Sequence, residues 1–484
     1  MLFNSIPFLI FFVIVTTLFF LVPSKAKNYI LLAASYVFYM WWDSKLIALI
    51  VFTTLVSFIS CLLMELRPQK KKLTLVLSII SILSILVFFK YYNFVADGIA
   101  SLINFANGTS YNFHINILLP IGISFYTFQT ISYVVDVYRG KIESEKNIFT
   151  YALYISFFPQ LVAGPIERSS DLLPQLKAEH HFDPDNFVAG IKMMIIGFFE
   201  KIAVADMIGL LVNEAFENVS ETNGLEILIA TILFCIQILC DFKGYSDIAK
   251  GIARIYGIRL SENFNHPYSA TSIKEFWNRW HLTLSTWFRD YVYFPLGGSR
   301  VSTIRWMINI LIVFLLSGLW HGADITFVLW GLILAVYRIL ERFILRNNYE
   351  KKSSFSRFFG RIITFILIAL AWIMFRSNNI KDALCSYSTL FTKWSFSKEY
   401  FSSVWNFFDL SVYKALLLVS IIALFLSFEK ILSFSEKQYD VKSKNIAAKI
   451  VKVALFSTLI WLSCGSFIYL NSMSIESSFI YFQF

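Results

Sequence analysis

The sequence predicts an all-α polytopic membrane protein, with roughly 11–14 transmembrane or re-entrant helices. Three observations predict it. First, 57% of the 484 residues are hydrophobic and 15% are charged, with a mean hydropathy of +0.63. A soluble domain carries about 25% charged residues and needs a polar coat over its core; this chain has too few polar residues to make one. Second, apolar runs long enough to span a bilayer recur along the chain. Third, basic residues gather in short segments between those runs. The net charge of +10 therefore reads as membrane orientation rather than nucleic-acid binding.

The apolar runs lie at 6–22, 29–42, 46–64, 73–89, 187–211, 225–240, 304–320, 325–340, 358–375, 411–428 and 449–470. The first has no basic segment before it, since Lys25 is the first charge, and no small-residue cleavage site after it. It reads as a retained span, not a signal peptide. Three further runs are ambiguous: 117–135, interrupted by Pro120 and Gly122; 149–163, interrupted by Pro159; and 282–297. They are spans, broken helices or re-entrant segments. With no internal repeat and no low-complexity tract, residues 1–484 read as a single membrane domain.

Loop charges set the direction. Arg67, Lys70, Lys71 and Lys72 follow the third run, so 65–72 is expected in the cytoplasm and the N-terminus outside. Segment 338–361 holds Arg342, Arg346, Lys351, Lys352 and Arg357, and 430–449 holds Lys430, Lys437, Lys442, Lys444 and Lys449. Both read as cytoplasmic, with 376–410 outside between them. Counting back from 338–361 puts His321 on the outer side or part-way through the membrane.

Two histidine segments carry the chemistry. On one continuous helix over 277–290, Trp277, Trp280, Leu284, Trp287 and Phe288 form an aromatic face, and Asn278, His281, Ser285 and Arg289 a polar stripe that Asp290 broadens. Such a helix lies in the headgroup region or lines a polar cavity in a bundle. The second segment, Ser317-Gly318-Leu319-Trp320-His321-Gly322-Ala323-Asp324, ends an apolar run. Ionisable groups at membrane depth are costly and usually line a cavity; a solvated loop histidine just outside the bilayer is the alternative. Gly318 and Gly322 would admit a second backbone. Ser317 shares the helix face of His321, and Asp324 could orient the imidazole.

The other histidines are weaker candidates. His180 and Asp185 match a bare His-x4-Asp pattern, but Asp183-Pro184 reads as a helix cap followed by Pro at the first position. Asn107-Gly108-Thr109 is a glycosylation acceptor only in a secretory eukaryotic setting. The five cysteines are scattered, and no His-x-x-x-His or Cys-x-x-Cys pair exists, so no metal site is predicted. Gly-x-Ser-x-Gly, Walker and dinucleotide motifs are also absent.

The stretches Glu275-Phe276-Trp277-Asn278-Arg279-Trp280-His281 and Thr286-Trp287-Phe288-Arg289-Asp290-Tyr291 resemble the signature of membrane-bound O-acyltransferases. Ser317–Gly322 resembles that family's invariant-histidine motif. Phe158-Pro159-Gln160-Leu161-Val162-Ala163-Gly164-Pro165-Ile166-Glu167-Arg168 and Asp241-Phe242-Lys243-Gly244-Tyr245-Ser246-Asp247-Ile248-Ala249 match further motifs. The resemblance runs from about residue 30 to the end. Pro295-Leu296-Gly297-Gly298-Ser299-Arg300, Ala371-Trp372-Ile373-Met374-Phe375-Arg376 and Phe479-Ile480-Tyr481-Phe482-Gln483-Phe484 resemble the alginate O-acetyltransferase membrane-subunit branch rather than the teichoic-acid D-alanyl branch.

The resemblance implies helices arranged around a central tunnel or funnel and acyl transfer across a bacterial plasma membrane, with acetyl-CoA as donor and no tightly bound cofactor. The acceptor would be a hydroxyl of an extracellular polysaccharide or of an extracytoplasmic partner transferase; polymer-synthesis subunits are further partners. His321 would be the general base and His281 its assistant. Trp277, Asn278, Arg289, Asp290, Ser317 and Asp324 are expected as substrate-binding or tunnel-wall groups. The competing readings are D-alanyl transfer from a carrier-protein thioester, a lipid-linked sugar transporter or flippase, and a scaffold subunit. Transporters often carry internal repeats, which this chain lacks.

Overall fold

The computed structural model describes residues 1–108, 110–345, 353–408, 412–437, 446–473 and 479, with side chains for all of these but 345, 412, 413, 429–437 and 446–449. Arg346, Lys351, Lys352, Lys442, Lys444, Thr109 and all of the closing motif except Phe479 therefore lie outside the described residues, as do the side chains of Lys430, Lys437 and Lys449. The described residues are helical with no strand, and six helices are long and apolar enough to cross a membrane. The chain is an all-α multi-pass membrane protein.

The first helix, α1 (Ile6–Leu21), shows why the outside must be lipid. Ser5 caps it by accepting from the Phe8 N–H. Phe8, Phe12, Val15 and Phe19 are buried, while Leu9, Ile10, Val13 and Ile14 are exposed on the other face. A helix apolar all round, with one face packed and one bare, needs an apolar solvent.

Three helices complete the N-terminal part: α2 (Ser24–Met40), α3 (Ile47–Leu66) and α4 (Lys71–Leu86). α4 does not stop where the apolar run does. It passes through a π-helical turn, Val87–Tyr91, into α5 (Tyr92–Asn107). With the 3-10 turn Pro68–Lys70 that precedes α4, the continuous helical stretch has 40 residues and is about 60 Å long, twice the hydrocarbon thickness. The extension escapes a search for apolar runs because Asn93, Asp97, Asn104 and Asn107 interrupt α5.

Gly122 then starts α6 (Ile123–Tyr138). Its φ is +73°, and a Cβ there would lie 2.5 Å from the Leu161 carbonyl oxygen, so both conformation and contact demand glycine. α6 is buried along almost its whole length. α7 (Ile148–Ser156) breaks at Phe157, and Pro159 sits in the first turn of α8 (Phe158–Leu161). The first two ambiguous runs are thus protein-enclosed, broken segments. After α9 (Ser169–Lys177), Asp183 caps α10 (Pro184–Phe198), accepting from the Asp185 and Asn186 N–H groups. A π-helical turn, Phe199–Asp206, leads to α11 (Met207–Glu217).

The 32-residue α12 (Gly224–Ile255) opens with an Asn223/Glu226 capping box and is the most enclosed of the six membrane-crossing helices. It packs antiparallel on α10 through paired glycines: a Cβ on Gly197 would lie 2.6 Å from the Gly244 oxygen, and one on Gly190 2.5 Å from the Gly251 oxygen. Its buried charges are matched. Lys201 Nζ lies 2.7 Å from Asp206 and 2.5 Å from Asp241, and Lys243 lies 2.6 Å from Glu200 and 2.8 Å from Asp247. The Asp241–Ala249 motif therefore supplies much of this ion network.

The remaining elements are α13 (Ile273–Trp277), α14 (Leu282–Phe288), α15 (Thr303–His321), α16 (Ile325–Leu345), α17 (Ser354–Arg376), α18 (Ile380–Thr392), α19 (Lys398–Phe407), α20 (Val412–Lys437) and α21 (Ile446–Ser472). The third ambiguous run, 282–297, is no span: α14 has seven residues, then a π-helical turn, Arg289–Tyr293, and a glycine turn that Asn309 holds through the Leu296 and Gly298 carbonyls.

Candidate active site

His321 is the last residue of α15, and the α15–α16 crossing sets its position. A Cβ on Gly318 would lie 2.2 Å from the Phe327 carbonyl oxygen, and one on Gly331 2.3 Å from that of Phe314. The close partner of the glycines is thus the next helix of the same hairpin. From the π-helical turn after α4, Lys90 Nζ donates to the carbonyls of Trp320 (2.6 Å) and His321 (3.1 Å), and the Tyr91 hydroxyl donates to that of Leu319 (2.6 Å). Terminal carbonyls of a helix have no intrahelical donors, so these contacts satisfy and anchor the turn that carries the imidazole.

The His321 side chain is 3% exposed. Its ring meets the edges of Trp320, Trp330 and Phe375, with centroids 4.9, 5.0 and 5.5 Å away. Trp330 stacks on Trp372 at 5.6 Å. The motif Ala371–Arg376 therefore reaches this site through Trp372 and Phe375. A cavity of about 230 Å³ touches His321 and is also lined by Lys90, Trp320, Ser124, Phe125 and Trp42.

His281 does not sit in one amphipathic helix. α13 ends at Trp277, and the chain turns until α14 starts at Leu282, with His281 in the left-handed region at φ +43°. The expected 277–290 helix and its stripe are overturned by a competing backbone pairing. The Leu282 N–H donates to the Asn263 carbonyl and the Asn265 N–H to that of Arg279. The imidazole is fully buried, against Phe242 at 4.6 Å and Trp320 at 5.8 Å. Trp320 thus lies between the two histidines, in ring contact with both.

The other expected wall groups divide. Trp277 packs on Phe314 and Trp330 and so belongs to the aromatic box. Ser317 is buried one turn before His321. Asn278 and Arg289 are exposed. Asp290 accepts from Arg168 (3.2 Å) and Arg289 (2.8 Å). Asp324 does not act as orienter of the imidazole: its carboxylate accepts from the Thr326 N–H at 2.8 Å, a helix-start role. His180 is buried, its carbonyl accepts from Lys27, and Asp183 caps α10.

Sequence reasoning missed Lys90 and Asn263, which lie in no motif containing a histidine of the site. The motif Phe158–Arg168 binds the histidine region to the rest: the Ile166 N–H donates to Thr283 Oγ1 at 3.1 Å, and Arg168 lies over the Tyr291 ring at 4.5 Å. Glu167 accepts from the Ser261 N–H (2.6 Å) and hydroxyl (2.9 Å); burial pushes its carboxyl up to about 7. Among the described residues, no three His, Cys, Asp or Glu side chains form a metal-sized cluster.

Residues 31–381 match the membrane-bound O-acyltransferase family; the chain belongs to that family and is an acyltransferase. It is 36% identical to the "Probable alginate O-acetylase AlgI" of Pseudomonas aeruginosa, over 81% of this chain and 75% of that one. Similarity to the peptidoglycan O-acetyltransferase of Helicobacter pylori is 33% identity over 79% and 78% of the two chains. Similarity to the teichoic acid D-alanyltransferase of Bacillus subtilis is 27% identity over 54% and 69%.

Proposed function

We propose that this protein moves an acetyl group from cytoplasmic acetyl-CoA to a hydroxyl on the outer side of a bacterial plasma membrane. The observation that carries the reading is His321, an imidazole enclosed at the end of a membrane-crossing helix with a cavity against it. Lys71, at the start of α4, lies over Tyr138 at the end of α6. Lys90 and Phe125, from the far end of α4 and the start of α6, line the cavity. Phe125 and Tyr138 are about 20 Å apart along the helix axis, most of a hydrocarbon layer of about 30 Å. With the basic end in the cytoplasm, as positive loop charges favour, the cavity belongs to the acceptor side and the N-terminus is extracytoplasmic.

In this reading His321 takes the proton of the acceptor hydroxyl as its oxygen attacks the thioester carbon. The C–O bond forms, the C–S bond breaks, and the imidazolium returns the proton to the leaving sulfur. His281 assists by positioning the donor or relaying a proton. The acceptor is an extracellular polysaccharide, or an extracytoplasmic transferase that receives the acyl group and passes it on. The names of the P. aeruginosa and H. pylori relatives favour acetyl; that of the B. subtilis relative favours D-alanyl.

The test uses the full-length protein at matched membrane abundance. Purified protein given acetyl-CoA and a soluble polysaccharide as hydroxyl acceptor should release CoA thiol, and His321→Ala should abolish both this and envelope-polymer acetylation. His281→Ala should reduce both severely. Polymer acetylation retained in His321→Ala would remove that residue from the role, and transfer only from a D-alanyl carrier thioester would replace the donor.

A further inference from the structure

The geometry points to Asn263 as a positioning residue that holds His281 in the tautomer whose Nε2 accepts a proton. This rests on the reading that His281 takes part in the transfer. Asn263 lies 18 residues before His281, in a loop outside every histidine motif. Its side chain is 1% exposed and the imidazole 0%.

The amide is oriented by two partners. Asn263 Nδ2 donates to Ser246 Oγ at 3.2 Å on α12, and Asn263 Oδ1 accepts from Thr283 Oγ1 at 2.7 Å. The same Oδ1 faces His281 Nδ1 at 3.3 Å. An amide oxygen can only accept, so Nδ1 must carry the hydrogen and Nε2 keeps its lone pair. Among the described residues Nε2 is buried and has no hydrogen-bond partner. A basic nitrogen without a partner in an aromatic enclosure is costly unless something transient uses it.

The backbone reinforces the arrangement. The Asn263 carbonyl accepts from the Leu282 N–H at 2.9 Å, so one residue holds the chain just after His281 and the ring itself. The left-handed conformation of His281 is a strain of the sort that persists where surroundings over-determine it. Of the charges on the adjoining elements, Asp241 pairs with Lys201, Lys243 with Glu200 and Asp247, Glu262 with Lys250, and Arg279 with Glu275. His321 lies beyond Trp320. A neutral amide is thus the group that sets the protonation pattern of His281.

The experiment measures CoA release from acetyl-CoA, with the same polysaccharide acceptor present, across pH for full-length Asn263→Ala, Asn263→Asp and His281→Ala, each at verified abundance. Asn263→Ala should lower kcat on the order of 10–100-fold, the size of such second partners to histidine in metal sites, with KM for acetyl-CoA unchanged. Asn263→Asp still accepts from Nδ1–H but adds a negative charge, which favours the imidazolium. Its acidic limb should move to higher pH while activity recovers above it. A purely structural role would lower abundance in both variants and leave the pH profile alone. An unshifted profile in Asn263→Asp, or a normal kcat in Asn263→Ala, overturns the inference. Full activity in His281→Ala overturns the reading beneath it as well.

Discussion

Replacing Gly318 by alanine tests whether the α15–α16 crossing is what places His321. The added Cβ would lie 2.2 Å from the Phe327 carbonyl oxygen and 3.0 Å from its carbon. Ordinary carbon–oxygen contacts begin near ~3.3 Å, so the helices must part by about 1 Å. The opposing atoms are backbone, so no side chain can swing away to absorb the change, and Gly331 makes the reciprocal contact with Phe314. Overpacking of this kind costs about 1–3 kcal/mol. His321 is three residues further on, and a misplacement near 1 Å costs about 100-fold in rate. The assay is CoA release from acetyl-CoA beside thermal unfolding in detergent. Gly98→Ala on α5 is the control, since nothing lies within 4 Å of its Cβ. Gly318→Ala with normal activity and unaltered unfolding temperature would refute the reasoning.

Three other outcomes are expected. Lys90→Met removes the two hydrogen bonds from Nζ to the Trp320 and His321 carbonyls, each worth about 0.5–1.5 kcal/mol; unfolding temperature and acyl transfer should fall together, and unchanged values would show that the clamp is idle. Asp241→Asn removes one of the two carboxylates on the buried Lys201, which keeps Asp206, and should cost about 1–3 kcal/mol, read as a lower unfolding temperature in detergent. By contrast Lys146→Ala, whose side chain is 64% exposed in its pair with Glu65, should cost less than about 1 kcal/mol. Glu167, pushed up to about 7 by burial, binds more protons folded than unfolded; stability should decline as pH rises from the unfolded value towards 7. Glu167→Gln should flatten that decline in unfolding temperature against pH, and an unaltered slope would discount the buried carboxyl.

Much of the architecture could be read from the chain alone because its signals are local. Apolar runs gave the helices α1, α3, α12, α15 and α17, and Asp183-Pro184 gave the start of α10. The histidine of the α15 end was found because a titratable residue at the close of an apolar run is conspicuous. The 277–290 segment misled for a complementary reason. Its helical periodicity is genuine, yet the Leu282 and Asn265 N–H groups find carbonyls in a partner strand of chain rather than one turn back. Asp324 misled likewise: a carboxylate three residues from a histidine suggested an orienter, but the Thr326 N–H at the next helix start takes it.

The sequence by itself determined the solvent. With 15% charged residues, the chain must bury its backbone in helices and face lipid, and each helix is specified by residues within a few turns. Only the tertiary structure decided which groups meet. Lys90 reaches His321 over 231 positions and Trp287 reaches the Phe128 carbonyl over 159. Such encounters depend on how helices cross, and crossing is set by backbone contacts at Gly122, Gly244 and Gly318 that a one-dimensional pattern does not contain.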